Sequence, residues 1–158
     1  MVKERQKTAI ARQDPVSILL VGNNPIELSR MLETVKKLPN RVTAEIAFDL
    51  ASIWQRLMKF KPNFILIDDN IGLQELSQTV STLSSNAKTR NVPITVLKNS
   101  NYSGSIVSSD VAEFMLKQHF TPESLYIVLK NSVRFQQARQ YLAKAYAKRK
   151  RELLKLVR

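Results

Sequence analysis

The sequence predicts an α/β protein built on a doubly wound, five-stranded parallel sheet, (βα)5, with an extended C-terminal helix. Three observations predict it. Short β-rich apolar runs alternate with segments of helical period, and each run stops at turn formers or charges. No Gly or Pro interrupts the chain from residue 123 to its end. Strands that alternate with helices imply right-handed crossovers and a parallel sheet covered on both faces.

The elements follow in order. Residues 16–21 (VSILLV) read as a buried strand closed by Gly22, Asn23, Asn24 and Pro25. Leu28, Met31, Leu32 and Val35 then keep helical spacing, and residues 42–47 give the second strand. Leu50, Ile53, Trp54, Leu57 and Met58 form an apolar helical stripe, with Asp49 placed as N-cap. Residues 64–67 are the third strand. Leu73, Leu76, Val80 and Leu83 mark the next helix, and residues 93–97 (PITVL) the fourth strand. Residues 99–110 are turn-rich and support at most a short helix. Residues 113–116 (EFML) make the fifth strand, after which Thr121, Pro122 and Glu123 open a helix as cap, first helical residue and first-turn acid.

Composition sets the limits. A chain of 158 residues suits one well-buried domain. Cysteine is absent and His119 is the only histidine, which excludes disulfides, thiolate chemistry and multi-His metal sites. With only Gly22, Gly72 and Gly104, there is no glycine-rich phosphate loop. No apolar run has the length of a membrane span and the start is polar, so a soluble, cytoplasmic protein is expected. No enzymatic activity and no small-molecule substrate are expected.

The net charge of +12 is unevenly placed. Residues 1–14 form a polar tail with a net charge of +2, and residues 15–133 also carry +2. Residues 134–158 carry +8, with nine basic residues against Glu152. The expected divisions after the polar tail are a body over 15–136 and a basic helical extension over 137–158, which holds most of this charge.

In such sheets, sites collect outside the carboxyl ends of the strands. Asp68 and Asp69 stand at one such end. Gly22, Asn23 and Asn24, then Lys98, then Lys117 stand at three others. His119 reads as an exposed loop histidine and Trp54 as a packing residue.

The run P-N-F-I-L-I-D-D-N-I-G (62–72) resembles the segment that ends in the phospho-accepting aspartate of response-regulator receiver domains. Lys117, three residues after Phe114, resembles the family's lysine and the aromatic switch position before it. F-T-P-E-S-L (120–125) resembles the start of the family's last helix. The resemblance covers roughly residues 15–134 and implies a flavodoxin- or CheY-like fold, a two-component signalling role and a phospho-acceptor at Asp68. It also exposes departures. Gly22 and Asn23 stand where the family carries an acidic pair that binds Mg²⁺, Lys98 replaces a Ser or Thr, and Gln118 replaces a proline.

Two readings of this site follow. In one, the domain is a degenerate pseudo-receiver in which Lys98 and Lys117 neutralise Asp68 directly, with no cofactor. In the other, Asp68 accepts phosphate with the aid of Mg²⁺, held by Asp68 and Asp69 with Asn23 and Lys98 nearby. Phe114 is either a mobile aromatic switch or simply core.

The tail continues with strong helix formers. Phe135, Ala138, Leu142, Ala145, Leu153 and Leu156 keep an approximate stripe, among the basic residues Arg139, Lys144, Lys148, Arg149, Lys150, Arg151, Lys155 and Arg158. It should be ordered by packing on its own domain, on a second copy or on a partner protein. Binding of nucleic acid or an anionic membrane through the basic residues is the alternative use.

Overall fold

The computed structural model describes residues 14–99 and 110–157. Five strands, β1 (Val16–Val21), β2 (Val42–Ala47), β3 (Phe64–Asp68), β4 (Ile94–Lys98) and β5 (Glu113–Leu116), form one sheet in the order β2-β1-β3-β4-β5. Every pairing is parallel. Four helices connect and flank them: α1 (Pro25–Lys36), α2 (Leu50–Leu57), α3 (Leu73–Ser85) and α4 (Pro122–Val157). The doubly wound α/β fold and the long C-terminal helix are therefore as the sequence predicts.

Strand alternation divides the core into two layers. Ile18 and Leu20 of β1, Phe64 and Leu66 of β3, and Leu97 of β4 pack with Leu28, Met31 and Val35 of α1 and with Leu125 and Leu129 of α4. Leu19, Val21, Ile65, Ile67, Ile94 and Val96 turn the other way, toward Ile53 of α2 and Leu76, Val80 and Leu83 of α3. This division later decides which lysine meets which aspartate.

Local chemistry fixes the helix starts. Asn24 Oδ1 accepts the N–H groups of Ile26 at 2.9 Å and Glu27 at 3.2 Å, and Pro25 occupies the first helical position of α1. Asp49 and Ser52 form a capping box on α2. Thr121 and Ser124 cap α4 reciprocally, with Ser124 N–H 3.1 Å from Thr121 Oγ1 and Thr121 N–H 3.0 Å from Ser124 Oγ.

Three boundaries differ from the sequence reading. The α2 stripe stops at Leu57. Met58 is the C-cap, with its N–H turned back to Arg56 O, and its side chain is exposed. β3 runs on through Asp68. β4 begins at Ile94 and runs through Lys98, because Pro93 has no N–H for the ladder and contributes only its carbonyl, to Ile65 N–H at 3.1 Å. The expected short helix in the turn-rich stretch falls on residues 100–109, outside the described residues.

α4 is one helix of 36 residues, about 54 Å long at 1.5 Å per residue. Its buried residues are Leu125, Leu129, Ser132 and Gln136. From Gln140 to Val157 every residue is exposed. The first half of α4 is thus part of the core, and the second half leaves the domain without a break in the backbone. Among the described residues nothing buries the tail beyond this point. Leu129→Ala should cost about 2–5 kcal/mol in urea unfolding, whereas Leu142→Ala should change it by less than about 0.5 kcal/mol. Equal losses would contradict the division of the helix.

Candidate functional site at the carboxyl edge of the sheet

Asp68 ends β3 in phase with Phe64 and Leu66, so it belongs to the face shared by α1 and α4. It is 0% exposed. Asn70 N–H donates to its Oδ1 at 3.0 Å. Lys117 Nζ lies 2.6 Å from the same oxygen, an ion pair close in distance although not aligned as a hydrogen bond. Lys117 opens a short 3-10 helix after β5, two residues beyond Met115, whose side chain lies in the same core layer as Leu66. The period of 2 therefore carries Lys117 to the Asp68 side.

The same period takes Lys98 away. It falls in phase with Ile94 and Val96, on the α2–α3 face, and its Nζ sits 5.4 Å from the centroid of the Phe114 ring. The β4–β5 register pairs Val96 with Phe114 and Lys98 with Leu116, so this is a diagonal cross-strand contact. Phe114 itself is half-buried against the α2–α3 core layer. The ion pair with Asp68 is made by Lys117, and Lys98 acts on the opposite face, where its charge slightly opposes a rise in the pKa of Asp69.

Asp69 stands in the 3-10 turn Asp69–Ile71. Its Oδ2 accepts Asn99 N–H at 3.3 Å. Burial pushes its carboxyl above the ordinary value of 3.8. The Asn99 N–H and Lys117 oppose the rise, Asp68 adds to it, and Lys98 opposes it again. Asn99 also donates its side-chain amide to Asn70 Oδ1, and Asn23 Nδ2 donates to Asn70 O at 3.3 Å. Three asparagines thereby tie together the ends of β1, β3 and β4.

Gly22 lies one step beyond the Val21–Ile67 pair of the β1–β3 ladder, which sets it beside Asp68. A Cβ placed there would come 3.0 Å from Leu28 Cδ2 and 3.3 Å from Asp68 Cβ. The position is filled by its neighbours. Asn24, grouped with the site by sequence, has its side-chain oxygen engaged in capping α1.

Glu27 is a site member that the sequence reading missed. Its Oε2 is 4.0 Å from Lys117 Nζ, and its other oxygen is 3.8 Å from Arg30 Nη1. The signal was available, since an acidic residue in the first turn of a helix that follows β1 must sit at the carboxyl edge. His119 is exposed and serves through its backbone carbonyl, which accepts Ser124 Oγ–H at 2.6 Å. Trp54 packs against the α2–α3 layer. Arg139, counted with the tail by sequence, is held to the body by a 2.7 Å bond from Nη2 to Asp110 Oδ1.

A divalent cation would have limited material here. Asp68 Oδ2 and Asp69 Oδ1 are buried without hydrogen-bond partners, which suits a cation. However, among the described residues no three His, Cys, Asp or Glu side chains converge. Asn23 offers an amide, Gly22 offers no side chain, and Lys117 already supplies positive charge at Asp68. The residues fit an ammonium-neutralised carboxylate better than a Mg²⁺ site.

No family model and no curated protein matches the chain. Solved structures do. The chain is similar to the receiver domain of a sensor histidine kinase from Pseudomonas aeruginosa with magnesium coordinated in its active-site cleft, at 20% identity and TM-score 0.63, over 76% of this chain and 98% of that one. It is also similar to the chemotaxis response regulator CheY4 of Vibrio cholerae, at 18% identity and TM-score 0.58, over 73% and 100%. A third likeness is the Mn²⁺-bound response regulator Rcp1, at 20% identity and TM-score 0.56, over 73% and 89%. The chain has the fold of CheY-like receiver domains. Among its described residues no helix is long and apolar enough to cross a membrane.

Two predictions follow from the packing and charge. Gly22→Asp should lower stability by about 1–3 kcal/mol through overpacking against Leu28 and Asp68. Urea unfolding checks this, and wild-type stability would mean that Leu28 makes room. For Asp69, a raised folded pKa ties stability to the bound proton. That stability is complete below pH 3.8 and is lost as pH rises through the folded-state value. Asp69→Asn should therefore gain in Tm over the wild type as pH climbs from below 3.8 toward neutral. A gap that stays constant over this range would remove the assignment.

Proposed function

We propose that this protein is a two-component-type signalling module whose receiver-like domain works mainly through protein–protein interaction, independently of phosphorylation. The observation that carries the reading is Gly22 beside Asp68, which offers no carboxylate for a metal and is closely packed against Leu28 and Asp68, while the Lys117 ammonium already lies 2.6 Å from Asp68. Phosphoryl transfer to a carboxylate needs the acceptor to be reachable and charge to be offset on the transferring oxygens. Here one oxygen of Asp68 is occupied by Asn70 N–H and Lys117, and Gly22 stands where an acidic metal ligand would be needed.

The exposed half of α4 is the docking element in this reading. Lys144, Lys148, Arg151 and Lys155 recur at i, i+4, i+7 and i+11 and so share one face. Leu142, Ala145, Tyr146, Leu153 and Leu156 cluster on another, and all are exposed. An apolar stripe beside a basic face fits the helix-in-groove mode, with a partner protein whose groove is apolar at its floor and acidic at its rim.

A second reading, a Mg²⁺-dependent phospho-accepting regulator, draws on the unpartnered Asp68 Oδ2 and Asp69 Oδ1. Incubation with Mg²⁺ and a small acyl-phosphate donor, followed by intact mass, separates the two. The expected result is an unmodified chain beside a receiver control that reacts. A single phosphoryl adduct that disappears in Asp68→Asn would establish the second reading instead.

A further inference from the structure

A cleft of about 480 Å³ lies between the turn after α3 and the point where α4 leaves the domain. Its size is that of a small-ligand site. Ser84, Arg90, Asn91, Gln136, Arg139 and Lys144 line it. Residues 90 and 91 lead into β4, whereas Asp68 ends the neighbouring parallel strand β3, so the cleft is at the opposite edge of the sheet from the site described above.

The cleft is open to solvent, with Arg90, Asn91 and Lys144 exposed on its walls. Its turn is strapped by its own bonds: Thr89 Oγ1–H donates to Leu83 O at 2.6 Å, Arg90 N–H to Asn86 O at 2.8 Å, and Lys88 N–H to Asn86 Oδ1 at 2.9 Å. These hold Arg90 in place, and among the described residues its side chain makes no hydrogen bond or ion pair. On the other wall, Arg139 is oriented by its 2.7 Å bond to Asp110, which engages one of its five donors. Between the walls is Gln136. It is only 6% exposed and lines the cleft, so its amide can donate to or accept from a group that enters.

Charge selects the class of ligand. Three cations line the cleft and, among the described residues, no carboxylate does. Asp110 offsets part of one of them from outside. Arg side chains match phosphate oxygens through paired N–H donors. No aromatic ring lines the cleft, so nothing there would stack on a nucleobase. The excess of positive charge is better satisfied by two linked phosphates than by one.

We propose that this cleft binds a small diphosphate-bearing ligand, with Arg90, Arg139 and Lys144 on its phosphate oxygens and the Gln136 amide completing the site. The test is isothermal titration of the full chain with inorganic pyrophosphate at fixed ionic strength, with orthophosphate as the comparison. Saturable binding at one site is expected, about tenfold tighter for pyrophosphate than for orthophosphate. Arg90→Gln should weaken it by about tenfold, since its side chain has no partner among the described residues to lose. Lys36→Gln, at the exposed end of α1 and outside the cleft, should leave it within about twofold if the cleft and not diffuse charge binds the anion. No binding at millimolar pyrophosphate, equal affinity for the two anions, or equal losses in the two variants would each overturn the proposal.

Discussion

The ion pair between Asp68 and Lys117 is the constraint on which the carboxyl edge of this protein depends. A wholly buried carboxylate is costly without a cation beside it, and removing one partner of such a pair leaves several kcal/mol of unpaired charge. The surrounding residues are arranged around that need. Asn70 N–H fixes one oxygen, Glu27 stands beside the ammonium from α1, and Gly22 lets β1 and Leu28 close over the aspartate. Lys117 can reach inward because β5 ends at Leu116 and the following 3-10 turn redirects the chain into α4. The same turn therefore serves the site and the helix start.

That arrangement sets two charged centres back to back across the sheet. On the α1–α4 face are Asp68, Lys117 and Glu27. Toward the other face are Lys98 over the Phe114 ring and Asp69 near Asn99. The asparagine bridges among Asn23, Asn70 and Asn99 link the strand ends between them. A neutral amide network of this kind holds strand ends in register without requiring an ion.

α4 joins two environments in one element. Leu125 and Leu129 contribute to the core, and the helix then runs on for several turns with every residue from Gln140 to Val157 exposed. Those turns rest on the nucleus formed by the docked half, since propagation from an existing helix is far easier than starting one. Helix formers without Gly or Pro are enough for that, despite the repulsion among basic residues. The change from buried to exposed at Gln136 also opens the cleft beside Arg90.

Much of this was determined by sequence alone. The five apolar runs, the caps at Asn24, Asp49 and Thr121, and the uninterrupted last helix are local signals, and local signals fix element type and order. Alternation along β3 and β4 even contains the sorting of Asp68 and Lys98 to opposite faces, although that phase has meaning only once the strands share a sheet. Other facts arise only from long-range packing. The choice of Lys117 over Lys98 as the partner of Asp68, the part played by Glu27 and the tight fit at Gly22 depend on which chains become neighbours in the order β2-β1-β3-β4-β5. So does the convergence of Arg90 with Arg139, which are far apart in sequence and face each other only because α4 crosses the amino edge of the sheet. Periodicity decides what a segment becomes, whereas distance between charges is a property of the assembled fold.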